Sequence, residues 1–326
     1  MSALYRKARV IAGFLFLGAL LNGCALILPQ TEAIRDKRPA DLPVHAELTE
    51  VPFFPQEEFQ CGPAAIAMAM NAAGAKVTPE AMVGQVYLPA RKGSLQIEML
   101  VAPRRHGLIA YELEPQFGDL LREVAAGTPV VVLENYRLRV WPLWHYAVIV
   151  GYDFDKGEVI RRSGTRQRQT MPFTVFEYVW KDEGYWAMVV VPPDRVPATA
   201  TEERYGQAVA ALERSGNFKN AHIAYNAMLG RWPGSLVGLM GSGNTAYALK
   251  DLASAESWFR DATLTHPEAP AAFNNYAHVL AERGRLKEAL AAAERAVSLG
   301  GPLLSASLKT LEEIRQRGPA GPRKPE

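Results

Sequence analysis

Three side chains define the chemistry this sequence could perform: the thiol of Cys61, the imidazole of His145 and the amide of Gln56. Cys61 opens the run Cys61-Gly62-Pro63-Ala64-Ala65, in which Pro63 sits in the first turn of a helix expected over 61–73, with Gly74 as its stop. A thiol is a poor nucleophile until ionised, and a helix N-terminus and a neighbouring histidine are two ways to lower its pKa. The backbone N–H of Cys61 can donate to the oxyanion of a tetrahedral intermediate, and Gln56, five residues upstream, can supply a second donor. His145 starts the run His145-Tyr146-Ala147-Val148-Ile149-Val150-Gly151-Tyr152-Asp153, so a strand has to carry the base to the helix. Alone, a Cys before a helix or a His at the head of an apolar strand is more often a buried structural residue. Nucleophile, base and oxyanion donor together are the parts of an acyl-transfer site.

The elements that must position them follow from hydrophobic period and turn residues. Helices are expected at 61–73, 79–87, 94–106 and 117–126, the last closed by Gly127-Thr128-Pro129. The period then changes, and β-branched or aromatic runs at 130–133, 145–152, 158–162 and 186–191 read as strands, with a hairpin loop at 153–157. Helices first and strands afterwards imply an α+β domain over 49–193, its helices packed on a twisted antiparallel sheet.

The segments Gln56-x4-Cys61-Gly62-Pro63-Ala64 and His145 to Asp153 resemble the double-glycine leader peptidases, the bacteriocin-processing branch of the papain-like cysteine peptidases, over about 51–193. The resemblance implies Cys61 as nucleophile, His145 as general base and acid, and Gln56 as oxyanion-hole residue. It also implies an Asp or Asn that orients the histidine, and here the sequence departs from the pattern. Asp153 is eight residues along an extended strand from His145, about 26 Å at ~3.3 Å per residue, and cannot reach it. A hairpin at 153–157 instead returns Ser163 opposite His145, so Ser163-Gly164 stands where the family has its orienter followed by Pro. Ser163 can accept a hydrogen bond but brings no charge to stabilise an imidazolium. Three readings stay open: a cysteine peptidase, a peptidase fold kept as a binding or assembly module, and a transpeptidase or amidase on cell-wall peptides using the same residues. Double-glycine cleavage is implied by the resemblance alone.

At the start of the chain, Arg6, Lys7 and Arg9 precede an apolar run over 10–21 that is short for a membrane span, and Leu21-Asn22-Gly23-Cys24 resembles the lipobox of bacterial lipoproteins. That resemblance implies a signal peptide over 1–23 and a lipidated Cys24. With Ala25 following, it implies an outer-membrane anchor facing the periplasm. The segment 24–48 reads as a tether. Cys61 then has no intrachain partner, which excludes a disulfide framework. A formal charge of +2 without a basic stripe argues against nucleic acid. No Cys/His set has zinc spacing and no Gly-rich loop follows a strand, so neither metal nor cofactor is expected. Arg161, Arg162, Arg166 and Arg168 read as a solvated strand edge, and Trp141 and Trp144 as cleft walls or core.

After a Pro- and Ala-rich linker over 194–202 the composition becomes helical and periodic. Phe218, Leu252 and Leu286 recur at a spacing of 34, as do Ala221, Ala255 and Ala289; Tyr225 and Phe259 share the phase, as do Pro233 and Pro267. This resembles the tetratricopeptide repeat, with repeats at about 203–235, 236–269 and 270–301. Val209 stands where the family prefers a small residue, and Ala293 replaces the aromatic. A capping helix to residue 317 and a disordered tail over 318–326 complete the reading, and the resemblance implies a concave surface for a peptide or protein partner. His222, His266 and His278 read as surface or packing residues of these helices.

Overall fold

The structure is a computed structural model that describes residues 28–56, 60–137 and 141–317. The Cys24 lipobox and the 318–326 tail lie outside the described residues. Among the described residues no helix is long and apolar enough to cross a membrane.

The first domain runs α1 (Pro29–Asp36), β1 (His45–Glu47), α2 (Cys61–Ala72), α3 (Pro79–Val86), β2 (Tyr87–Leu88), β3 (Gly93–Ser94), α4 (Gln96–Arg105), β4 (Ile109–Glu112), α5 (Phe117–Ala125), β5 (Val130–Asn135), β6 (Trp144–Asp153), β7 (Glu158–Ser163), β8 (Arg166–Pro172), α6 (Phe173–Lys181) and β9 (Ala187–Val191). Its main sheet is antiparallel, ordered β4-β9-β5-β6-β7-β8, with β1 added along the end of β6. Alternate residues of the central strands enter two different cores. Val130, Val132, Ala147 and Ile149 face α5 and α6, whereas Val131, Leu133, Tyr146 and Val148 face α2 and α4. Burial on both faces is why β5 and β6 read as unbroken apolar runs.

The segment 29–48 is not a tether. Ile34 and Leu42 are buried in the core, the N–H groups of Gln30 and Thr31 donate to the Glu177 carboxylate at 3.1 and 2.6 Å, and β1 pairs with β6. Two isolated apolar residues in a polar stretch give no period to detect, but each is enough to anchor a turn of chain.

The second domain is all-α: α7 (Glu202–Arg214), α8 (Phe218–Arg231), α9 (Leu236–Ala248), α10 (Leu252–Thr265), α11 (Pro270–Glu282), α12 (Leu286–Leu299) and α13 (Leu304–Arg317). Successive hairpins place Ala221, Ala255 and Ala289 at fully buried crossings, and Tyr225 and Phe259 between repeats. The segment before α7 lacks pattern but is pinned in place: Thr199 donates its N–H and its hydroxyl to buried Glu123, each at 2.7 Å, and Arg231 donates to the carbonyls of Pro197 and Ala198. Tyr205, Val209 and Leu212 of α7 share one core with Ile109 and Tyr111 of β4, so the repeats are built onto the sheet edge.

Candidate active site

Cys61 is the first residue of α2, whose remaining first turns are wholly buried under the sheet. Gly62 is required there, because a Cβ would sit 2.2 Å from Ser94 Oγ. The short β2–β3 hairpin packs that closely against the helix that Cys61 opens and walls one side of a cavity of about 710 Å³. Gln56, Cys61 and His145 all line this cavity, together with Tyr136, Leu143 and Trp144.

Gln56 is held at both ends of its amide. The Gly164 N–H donates to Gln56 Oε1 at 2.8 Å, Gln56 Nε2 donates to the Tyr146 carbonyl at 3.1 Å, and the Gln56 backbone N–H donates to the Gly164 carbonyl at 3.0 Å. The amide nitrogen carries two hydrogens, so one stays available toward the cavity.

β6 delivers His145, and the β7–β8 turn delivers Ser163. Ser163 pairs with Arg166 across a two-residue turn, and Gly164 takes the left-handed conformation that turn needs, φ 59°. His145 Nε2 lies 2.8 Å from Ser163 Oγ. This leaves Nδ1 as the ring nitrogen not engaged by Ser163. Asp153 is at the other end of β6, paired with Lys156 and His45.

Burial sets the protonation states. It pushes the Cys61 thiol up, against hydrogen bonding from the backbone of Tyr146, Gly62 and Cys61 itself. Burial, and secondarily the charge on Arg161, lowers His145 to about 4. Burial thus disfavours the charged form of both groups, opposite in direction to the helix-terminus effect on the thiol. Among the described residues no hydrogen bond joins the Cys61 sulfur to His145.

Behind His145 is a network that the sequence did not suggest. Glu134, opposite His145 in the β5–β6 register, is 0% exposed and accepts two bonds from Arg161 Nη1 at 2.5 and 2.6 Å. Tyr136 donates to Glu134 at 2.6 Å, accepts from Arg161 at 2.9 Å, and lays its ring 5.4 Å from the His145 ring, tilted by 33°. Burial pushes the Glu134 carboxyl up, against the attraction of Arg161. A guanidinium cannot give up its proton here and makes both short contacts, so the pair is ionic. Arg161 is only 2% exposed and Arg162 4%, which corrects their reading as a solvated edge. β7 is an interior strand, and the outer strand β8 carries the exposed Arg166 and Arg168. Trp141 and Trp144 are 77% and 58% exposed, so neither is core; Trp144 lines the cavity.

The three histidines of the repeats make packing contacts. His222 lies 2.9 Å from Thr245 Oγ1, His266 bonds the Gly234 carbonyl at 2.7 Å, and His278 meets Tyr247.

Residues 48–188, somewhat under half of the chain, match the model of the Peptidase_C39 like family. The first domain has a C39-like peptidase fold. The C39-like domain is followed by helices that match tetratricopeptide-repeat folds. A C39-like peptidase from Bacillus anthracis is 19% identical, covering 45% of this chain and 97% of its own, with a TM-score of 0.37. The TPR2B domain of yeast Sti1, solved as a complex with pHsp70, is 16% identical over 36% of this chain and 98% of its own, with a TM-score of 0.35. The Yersinia enterocolitica type III secretion translocator chaperone SycD is 20% identical over 35% and 83%, with a TM-score of 0.34. No curated protein matches the chain.

Proposed function

We propose that this protein is an envelope-anchored cysteine peptidase, lipidated at Cys24, whose repeats recruit a peptide or protein partner. The observation that carries the reading is the opening of Cys61, His145 and Gln56 into one cavity, with Ser163 on the far nitrogen of the imidazole. In the proposed reaction His145 Nδ1 takes the thiol proton as sulfur attacks the peptide carbonyl. The Cys61 N–H and the Gln56 amide hold the oxyanion, the imidazolium returns the proton to the leaving amine, and water resolves the thioester.

The experiment is digestion of a peptide library by the chain from Ala25 onward, read by mass spectrometry. Wild type is expected to generate new termini and Cys61→Ala none; a wild type as inert as Cys61→Ala rejects the peptidase. Transfer of an acyl group to an added amine, in place of hydrolysis, would identify a transpeptidase.

The second reading, a peptidase fold retained for binding, draws on the uncharged orienter and on the thiol and imidazole both being held neutral. Ser163→Asp discriminates between the two. A carboxylate on Nε2 would favour the imidazolium, and a hydrogen bond to a charged group contributes about 1.5–3 kcal/mol. In a working site iodoacetamide should then modify Cys61 about 10–100-fold faster near neutral pH. An unchanged alkylation rate in Ser163→Asp would show that the imidazole does not act on the sulfur.

A further inference from the structure

Chain entry into the first domain is fixed from its first described residue. Leu28 is buried, Thr31 donates through its hydroxyl to the Phe173 carbonyl, and Glu177 of α6 takes the N–H groups that open α1. Four residue steps separate Cys24 from Leu28, a reach of at most about 14 Å. A lipid on Cys24 would therefore hold Leu28, and the part of α6 beside the start of α1, within that reach of the bilayer.

The surface around α6 is apolar and aromatic. Val175 and Tyr178 are exposed on α6, Tyr178 being the residue after Glu177. Trp141 shares a shallow depression with Tyr178, Tyr136 and Arg137, and Leu143 and Trp144 continue the patch to the cavity mouth. Large exposed side chains clustered in this way mark an interaction surface, and Trp and Tyr favour the headgroup level of a membrane. The charge is balanced. Lys181 sits 5.2 Å over the Tyr178 ring and Arg137 is exposed, while Asp182 and Glu183 lie at the same rim, Glu183 accepting the Trp144 indole N–H at 2.9 Å.

We propose that Trp141, Leu143, Trp144, Val175 and Tyr178 form a bilayer-contacting face that seats the Cys61 cavity at the membrane surface. The orientation rests on the reading that Cys24 is lipidated; the face itself does not. Peptides lying along the membrane would then reach the cavity from the side.

The test uses the chain from Ala25 onward, which keeps every described residue and lacks the lipid, with vesicles of phosphatidylethanolamine and phosphatidylglycerol. It is expected to float with the vesicles at low and at high salt. The variant Trp141→Ala/Tyr178→Ala should lower that partitioning at least about ten-fold with unchanged thermal stability, because interfacial aromatics supply the affinity. Absence of wild-type flotation, an unaltered variant, or release by salt would each overturn the proposal. So would a variant that loses peptide hydrolysis in the absence of vesicles, which would assign the patch to substrate. The mass of the N-terminal peptide from membrane-extracted full-length protein reads the lipid on Cys24 separately, so failure of that reading is distinguishable from failure of the face.

Discussion

His145→Ala is expected to lower peptide hydrolysis by about 10²–10⁴-fold, the usual contribution of a positioned acid–base group. The loss should fall on kcat, because in the proposed reaction the imidazole acts on the sulfur and the leaving amine and does not hold the peptide. The reason is specific to this site. Burial raises the thiol and lowers the imidazole to about 4, so both groups are disfavoured as ions before substrate arrives, and in the proposed reaction the proton moves as the sulfur attacks. Because the base is neutral down to about pH 4, the acid limb of wild-type activity should lie well below the ordinary histidine value of 6.5. Stability carries the opposite mark of the same shift. Between pH 6.5 and 4 the unfolded chain binds a proton that the folded chain refuses, so the native state loses stability as pH falls through that window, and His145→Ala should remove this part of the loss. Steady-state kinetics and urea titrations across pH 4–7 measure both. Hydrolysis unchanged in His145→Ala would remove the base from the mechanism.

What could be read from sequence was what local geometry determines. Cys61 at a helix start, Gln56 five residues before it, and Ser163 returned by a hairpin toward His145 need only the helix N-terminus, a strand rise and a turn. The 34-residue period needs only self-similarity. Features set by non-local pairing were not legible. β8, with the polar run Arg166-Gln167-Arg168-Gln169, has no apolar alternation because it is an outer strand, and it conceals that β7 is interior. Arg161 therefore read as solvated, and its partner Glu134 lay just past the apolar run expected as a strand over 130–133. α6, rich in Phe, Val, Tyr and Trp, carries strand-forming residues on a helix held by packing. Desolvation of the thiol, which opposes the helix-terminus effect, is likewise set by non-local packing and not visible in sequence.

Glu134→Ala tests the buried network where its stakes are highest. Among the described residues, the substitution leaves Arg161, 2% exposed and with its Nε already unpartnered, as a buried cation hydrogen-bonded to Tyr136 and Gln169 alone. Removing one member of a buried ion pair typically costs about 3–5 kcal/mol, because the remaining charge keeps its desolvation penalty and loses its compensation. For a domain of this size that corresponds to roughly 10 °C in Tm. The double variant Glu134→Ala/Arg161→Met should regain most of the loss, since deleting both charges removes the penalty along with the attraction. Function should respond separately. An unneutralised Arg161 would lower His145 further, whereas the double variant relieves that repulsion, so the acid limb of activity should move to lower pH in Glu134→Ala and to higher pH in the double variant. Urea denaturation and pH–rate profiles of the two variants read these effects independently. A Glu134→Ala protein within about 1 kcal/mol of wild type would mean that water or a neighbouring group already serves Arg161, and the network would lose its place as the support of His145.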